Sequence, residues 1–230
     1  MKDRLQTFVW LALIAAVIAL LAVPEGRAAF EAATRARPYA MGFAKIALLG
    51  AMGELLGGKI ATGNWRVSGI RLWQRVLVWG LLGIVFTAVF PLFSFGVDGL
   101  LDKGLLPGKG MVVLVAFWKS FFMNTIFAFP MMVFHRITDT LIDRGRLFGS
   151  WPLVDVFAGI DWKNMFGVVG AACIWFWIPA HTITFVLPAE YRVMSAAVLA
   201  IVLGVILGMA KKRARASALG VAAGSGESHA

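Results

Sequence analysis

Long apolar segments alternate with short polar ones along almost the whole chain. A helix needs about 20 mostly apolar residues to cross a bilayer, and six stretches reach that length. They run approximately over residues 5–23, 38–58, 72–97, 111–134, 164–187 and 191–210. Pro188 leaves room for only a tight turn between the last two, so we expect them to be antiparallel neighbours. The pattern predicts an all-α fold, a polytopic membrane helix bundle of about six transmembrane helices.

The chain divides into three regions. Residues 1–24 are predicted to form an N-terminal transmembrane helix. Lys2 and Arg4 precede its apolar stretch, as in a signal sequence, but no clear cleavage site follows; we expect a retained helix, an uncleaved signal anchor, over a cleaved peptide. Residues 38–212 are predicted to be the membrane helix bundle, and residues 213–230 a disordered C-terminal tail.

The segment between the fourth and fifth spans is too polar to cross a membrane and too apolar for a free loop. Ser150 is placed to cap a short helix with Pro152 in its first turn. The apolar face of that helix would consist of Trp151, Val154, Phe157 and Ile160. We expect an interfacial helix that lies on the cytoplasmic membrane surface.

The composition supports a membrane protein, being 60% hydrophobic and 15% charged, whereas soluble domains are about 45–50% apolar and about 25% charged. The net charge of +10 does not indicate nucleic acid, because most Lys and Arg residues flank apolar segments and can contact lipid headgroups. Six spans with both termini in the cytoplasm place most of the 22 basic residues on the cytoplasmic side. Short loops and the lack of a transit peptide favour a bacterial inner membrane, with an organelle membrane as the alternative.

Small residues mark faces where helices can approach closely in lipid. Gly50, Gly53 and Gly57 form one stripe, and Gly204 and Gly208 form a GxxxG pair. These stripes predict a packed bundle without specifying which helices meet.

Charged residues inside spans usually face the bundle interior or water. Glu54 and Lys119 either line a polar cavity, or pair across it, or lie near an interface in a structural role. Lys45 lies about half a turn away from Glu54 in angle, on a different face of the second span. Arg71 and Arg75 at the start of the third span either bind an anion or anchor the topology.

The fifth span carries polar groups beside Pro179, which frees a backbone carbonyl. His181 and Asn124 either line a pore or make structural hydrogen bonds between helices. The candidate residues of a pore or polar cavity are Glu54, Arg71, Arg75, Lys119, Asn124, Trp177, His181 and Thr184.

The sequence offers little sign of catalysis or metal binding. His135, Asp139 and Asp143 follow one another at i+4, but interleaved arginines favour a charged, solvated face over a metal site. Cys173 is the only cysteine and lies in an apolar segment, where we expect a buried small side chain. Phosphate-binding loops, nucleophile elbows and zinc-protease motifs are missing from the sequence. We therefore predict no catalytic residue, no metal and no cofactor.

Several motifs in order resemble the Mpv-seventeen and peroxisomal membrane protein family. They are Gly53-Glu54, then Arg71 and Arg75 before Gly80, then Lys119, Asn124 and Pro130, then Trp177-Ile178-Pro179-Ala180-His181, Thr184-Phe185, Pro188 and Tyr191-Arg192. His181 stands where the family has Gln, and Thr184 where it has Asn. The resemblance implies that the first span is an addition to the family's core, and that the chain is a helical membrane protein of a type proposed to conduct small solutes.

The leading functional hypothesis is a channel or transporter for small solutes. The alternatives are a non-conducting scaffold or stress-related membrane protein, and an enzyme acting on lipid, which would need a facing nucleophile and base. Expected partners are membrane lipids and small anionic solutes, with a homo-oligomer as a further option and nucleic acid excluded.

Overall fold

The computed structural model describes the backbone of residues 2–226, with side chains to residue 206 and at residues 208, 209 and 212. All regular secondary structure in this part of the chain is helical. The helices are α1 (Lys2–Ala22), α2 (Pro24–Ala36), α3 (Pro38–Thr62), α4 (Leu72–Asp102), α5 (Val112–Asp143), α6 (Leu153–Ala158), α7 (Trp162–Val186) and α8 (Ala189–Gly226).

Six of these helices, all except α2 and α6, are long and apolar enough to cross a membrane; in α8 this holds for Ala189–Ile206. The prediction of an all-α membrane helix bundle is therefore confirmed. The predicted starts agree within a few residues, but α5 continues to Asp143 where the hydrophobic pattern stopped at residue 134. This extension brings a polar stretch of α5 against its neighbours.

The helix α1 lies on the outside of the bundle, and none of its residues is buried. Its contacts are nevertheless specific. The Trp10 indole donates to the backbone carbonyl of Met52 at 3.1 Å, and Asp3 pairs with Lys59 at 2.5 Å. Besides these two hydrogen-bonded contacts with α3, its partly buried apolar residues pack against the outside of the core; they are Trp10, Ile14, Val17 and Leu21.

The predicted interfacial helix and the predicted C-terminal tail both differ in part from expectation. α6 is a short helix, as predicted, but it starts at Leu153 and Ser150 does not cap it. Val154 and Phe157 are exposed apolar side chains, as an interfacial helix requires, whereas Ile160 is buried in the bundle. The predicted disordered tail is helical in its backbone as far as Gly226; residues 227–230 lie outside the described residues.

Glycines bring α3 close to α8. A Cβ atom added to Gly204 would lie 2.6 Å from the carbonyl oxygen of Gly53, and one added to Gly57 would lie 2.9 Å from that of Gly204. Gly208 faces Gly57 in the same way. The two predicted small-residue stripes therefore pack against each other, and α3 forms the centre of the bundle between α4 and α8.

Two helices widen into π-helical turns ahead of a proline. These turns are Met123–Ala128 in α5, before Pro130, and Cys173–Trp177 in α7, before Pro179. A proline removes one backbone N–H and crowds the preceding turn, and a π turn accommodates both. The two widened turns meet, since Asn124 in the first contacts the carbonyl oxygen of Trp177 in the second at 3.4 Å.

Candidate functional site

A cavity of about 350 Å³ lies between α3, α4, α5, α7 and α8. Its lining on α5 extends from Met123 to Asp139, which at the helical rise is about 24 Å. The hydrocarbon core of a bilayer is about 30 Å thick. The length of this central cavity is therefore comparable with much of the thickness of a bilayer core, and its wall is largely aromatic side chains, methionines and the glycines of α3 and α8.

Polar groups line the central cavity at two depths, and the first is a buried histidine–asparagine pair. His181 Nδ1 lies 3.1 Å from Asn124 Oδ1. Asn124 Nδ2 donates to the carbonyl oxygen of Ser120 at 2.8 Å, so its Oδ1 must accept and His181 Nδ1 must donate. The imidazole also stacks on Trp177 with ring centroids 4.8 Å apart. This tautomer leaves Nε2 of His181 as a hydrogen-bond acceptor on a residue that lines the cavity.

The second polar level is an ion cluster around Arg75. Its Nη1 lies 2.5 Å from Glu54 Oε1 and 3.1 Å from Asp139 Oδ1, and its Nη2 lies 2.6 Å from Asp143 Oδ1. The Trp79 indole donates to the other Glu54 oxygen at 2.9 Å. The Arg75 side chain is only 9% exposed, whereas that of Asp143 is 65% exposed. The cluster therefore extends from the cavity wall towards solvent.

His135 lies beside this cluster and is also buried. Its Nε2 is 3.7 Å from Asp139 Oδ2, and its ring lies against Trp79 with centroids 4.4 Å apart. The prediction of a solvated charged face is therefore wrong for His135 and Asp139, although Asp143 is exposed. The reason is the extra length of α5, which carries these residues against α3 and α4 instead of into solvent.

The structure brings together about half of the residues proposed from sequence. Those that line the central cavity are Glu54, Asn124, Trp177 and His181. Arg75 contacts it through Glu54. Glu54 and Lys119 do not pair with each other, because Lys119 binds Asp98 at 2.9 Å.

Arg71 and Thr184 have structural contacts away from the cavity. Arg71 is the residue before α4, with a positive φ of 49°. Its guanidinium donates to the carbonyl oxygens of Ile142 at 2.7 Å and Asp143 at 3.1 Å, so it caps the end of α5. The Thr184 hydroxyl lies 2.8 Å from that of Ser195 and joins α7 to α8.

A second cavity of about 210 Å³ lies between α2, α3, α4 and α8. Its charged lining residues are Arg35, Lys45, Glu190 and Arg192. Lys45 is buried, and its Nζ donates to Thr34 Oγ1 at 2.9 Å and to the backbone carbonyl of Glu190 at 3.2 Å. The prediction that Lys45 and Glu54 lie on different faces is confirmed, since each lines a different cavity.

Phe90 lines both cavities. Along α3 the lining of the second cavity ends at Lys45 and that of the central cavity begins at Ile46. Phe90 is 3% exposed, and its ring packs on Phe185 and His181 at centroid distances of 5.3 and 5.7 Å. It therefore lies in the layer that separates the cavities.

The sequence reasoning missed Phe90, His135 and Asp139 as lining residues. An aromatic residue in an apolar segment carries no signal of its position between two cavities. His135 and Asp139 did carry a signal in the sequence, because their i+4 spacing on a helix places both side chains on one face.

Six helices that are long and apolar enough to cross a membrane, five of them around an internal cavity, define the protein as an integral membrane helix bundle. Comparison of the chain with protein-family models, with curated proteins and with solved structures gave no match. The resemblance to the Mpv-seventeen family therefore rests on its motifs alone and stays a prediction.

Proposed function

We propose that the protein is a channel or transporter that moves small solutes through the central and second cavities. The observation that carries this proposal is the position of Phe90, which lines both cavities from the layer between them. The linings follow each other along α3, α4 and α8, so the two cavities lie in series along the bundle axis. Two cavities in series with a layer between them that can open support gated passage.

The lining supports a small, partly polar solute. A volume of about 350 Å³ is at the lower end of pockets that hold small molecules. The free Nε2 of His181 offers an acceptor at one depth and the Glu54 carboxylate offers another, while aromatic rings line the wall between them. Such a wall binds the apolar part of a solute and recognises its hydrogen-bond donors.

The charges favour different solutes in the two cavities. Arg35, Lys45 and Arg192 give the second cavity an excess of basic groups over Glu190, which supports the anionic solutes expected from the sequence. The central cavity adds little attraction for anions, because its lining carboxylates, Glu54 and Asp139, outnumber its one lining arginine, Arg136. Arg75 beside it is already surrounded by carboxylates. We propose that the second cavity attracts the solute and that the central cavity selects it by shape and hydrogen bonding.

The orientation follows from the distribution of basic residues. With both termini in the cytoplasm of a bacterium, the ion cluster of the central cavity faces the cytoplasm and the second cavity faces the other side of the inner membrane. An organelle membrane is the alternative; there too the two cavities would face opposite sides of the membrane.

The test is solute flux into liposomes that contain purified protein, with Phe90→Ala compared with Phe95→Ala. Phe95 lies on the same helix and is 74% exposed, so it is a matched control on the lipid-facing side. We expect flux to rise at least about tenfold in Phe90→Ala, the effect of lowering a barrier by about 1.4 kcal/mol, and to stay unchanged in Phe95→Ala. Phe90→Leu gives a smaller cavity change if the alanine variant folds poorly.

The competing candidate is a non-conducting scaffold, which the exposed apolar side chains of α6 favour as a partner-binding surface. In that case Glu54→Gln and Phe90→Ala lower thermal stability without changing the flux of any solute. An absence of flux for ions and small metabolites in all variants would refute the transport proposal.

A further inference from the structure

Three potential metal ligands meet on the wall of the central cavity. Glu54, His135 and Asp139 each offer one ligand atom, and these atoms all lie within 4.8 Å of one another. Glu54 comes from α3, whereas His135 and Asp139 are one turn apart on α5. Two helices of the bundle core therefore present one nitrogen and two oxygen ligands to the same point.

The histidine of this group lacks the hydrogen bonds that a buried imidazole normally makes. His135 is 9% exposed, and its Nδ1 is buried without a hydrogen-bond partner among the described residues. Its Nε2 is 3.7 Å from Asp139 Oδ2, which is beyond hydrogen-bond distance. Buried unpaired polar atoms are rare in native proteins and often mark a water or ion site. The cluster therefore has an imidazole available for a ligand.

The direct contacts of the cluster also leave surplus negative charge. Three carboxylates, those of Glu54, Asp139 and Asp143, contact the single guanidinium of Arg75. Asp143 is exposed to solvent, but Glu54 and Asp139 are 27% and 20% exposed in a largely apolar cavity. Arg136 lines the same cavity and offsets this charge only in part. Incompletely compensated charge in such surroundings is costly, so a further cation in contact with the carboxylates would stabilise the cluster.

We propose that Glu54, His135 and Asp139 bind one divalent transition-metal ion. A site with one imidazole and two carboxylates suits Zn²⁺, Mn²⁺ or Fe²⁺ better than Ca²⁺ or Cu⁺. Tetrahedral bonds of about 2.1 Å place ligand atoms about 3.4 Å apart, so side chains within 4.8 Å reach this geometry by small rotations. The three protein ligands leave one coordination position open to the cavity.

Arg75 competes with the metal for the same carboxylates. Its Nη1 contacts Glu54 and Asp139, whereas its Nη2 contacts Asp143, which is not one of the three ligands. The metal displaces Nη1, and Arg75 keeps its bond to Asp143. The inference goes beyond the proposed function, because a metal can bind here whether or not solutes pass Phe90.

The test is equilibrium dialysis of the purified full-length protein in detergent against Zn²⁺, Mn²⁺ or Co²⁺, with bound metal measured by atomic emission. We expect one ion per chain, and the visible absorption of bound Co²⁺ to show nitrogen and oxygen ligation. His135→Gln, Glu54→Gln and Asp139→Asn should each weaken binding at least about tenfold, as losses around metal sites do. Arg75→Gln should strengthen it by removing the competing cation.

The control is Asp102→Asn, an exposed carboxylate at the far end of α4 that pairs only with Lys109 among the described residues. We expect its metal affinity to equal that of the parent. His135→Gln changes no carboxylate contact of Arg75, so it tests the site even if the charge variants fold poorly. Absence of bound metal, or equal affinity in His135→Gln and parent, would overturn the inference and leave the flux experiment untouched.

Discussion

Arg75 joins three helices through its side chain, and its replacement gives the sharpest test of the structure. The guanidinium reaches Glu54 on α3 and Asp139 and Asp143 on α5, all within 3.1 Å. Arg75→Gln keeps a polar side chain but removes the charge and shortens the side chain by two bonds, so it no longer reaches the carboxylates that Nη1 and Nη2 contact. Two half-buried carboxylates, Glu54 and Asp139, would then face each other without a guanidinium between them.

The size of the effect follows from the exposure of the partners. Removing one member of a buried ion pair costs about 3–5 kcal/mol, because the other charge stays buried. Here the Asp143 carboxylate is 65% exposed, and the other two retain some contact with water. We therefore expect the lower end of that range, a loss of about 3 kcal/mol in the free energy of unfolding.

The assay is equilibrium unfolding in mixed micelles titrated with SDS. Adding Asp139→Asn to Arg75→Gln removes one of the stranded charges and should recover about 1–2 kcal/mol, a typical coupling between contacting residues. Arg146→Gln is the matched control, since Arg146 is exposed, and should change stability by less than about 0.5 kcal/mol. Equal losses in Arg75→Gln and Arg146→Gln would refute the buried cluster.

Three further predictions test the packing, the lining and the topology. Gly204→Ala should destabilise the bundle by about 1–3 kcal/mol in the same unfolding assay, because the added Cβ meets the Gly53 backbone. Gly99→Ala is the control: its Cβ meets open space, so the change should be neutral or stabilising. Lys119→Met should leave solute flux in liposomes unchanged, because Lys119 does not line the central cavity; a change in selectivity would contradict this assignment. In intact cells a membrane-impermeant thiol reagent should label Lys103→Cys and not Arg146→Cys, and the opposite pattern would reverse the proposed orientation.

The spans were predictable because lipid imposes a simple rule. Every backbone N–H and C=O group inside the membrane must be hydrogen-bonded within the protein, and a long apolar segment meets this requirement by forming a helix. The glycine stripes were equally readable, since a residue without a side chain permits close approach whichever helix is its partner. The identity of that partner, α8 against α3, was not readable, because packing depends on contacts far apart in sequence.

Residues of the site were predictable only where a single polar side chain in an apolar segment has an obvious cost in free energy. Glu54 and His181 were candidates because polar groups inside membrane spans are costly and usually face the bundle interior or water. The pairings of Glu54 with Arg75 and of Lys119 with Asp98 depend on the order of helices around the bundle, which hydropathy does not encode. His135 and Asp139 were assigned to a solvated face because the apolar run ends before them, although the helix and its packing continue.

The π-helical turn of α5 also has a consequence for changes in chain length. A π turn holds about one residue more than an α turn, so the segment Met123–Ala128 acts as a one-residue insertion that the helix has absorbed. Deleting Ile126, which is exposed, would convert this turn to α-helix and leave both flanks facing their present neighbours. Pro130 would then lose the wide turn that accommodates it, at a local cost in stability. The same deletion in the α-helical part before Met123 would rotate one flank by about 100° and turn its buried face towards lipid. Single-residue deletions in α5 should therefore be less harmful at the widened turn than elsewhere along the helix.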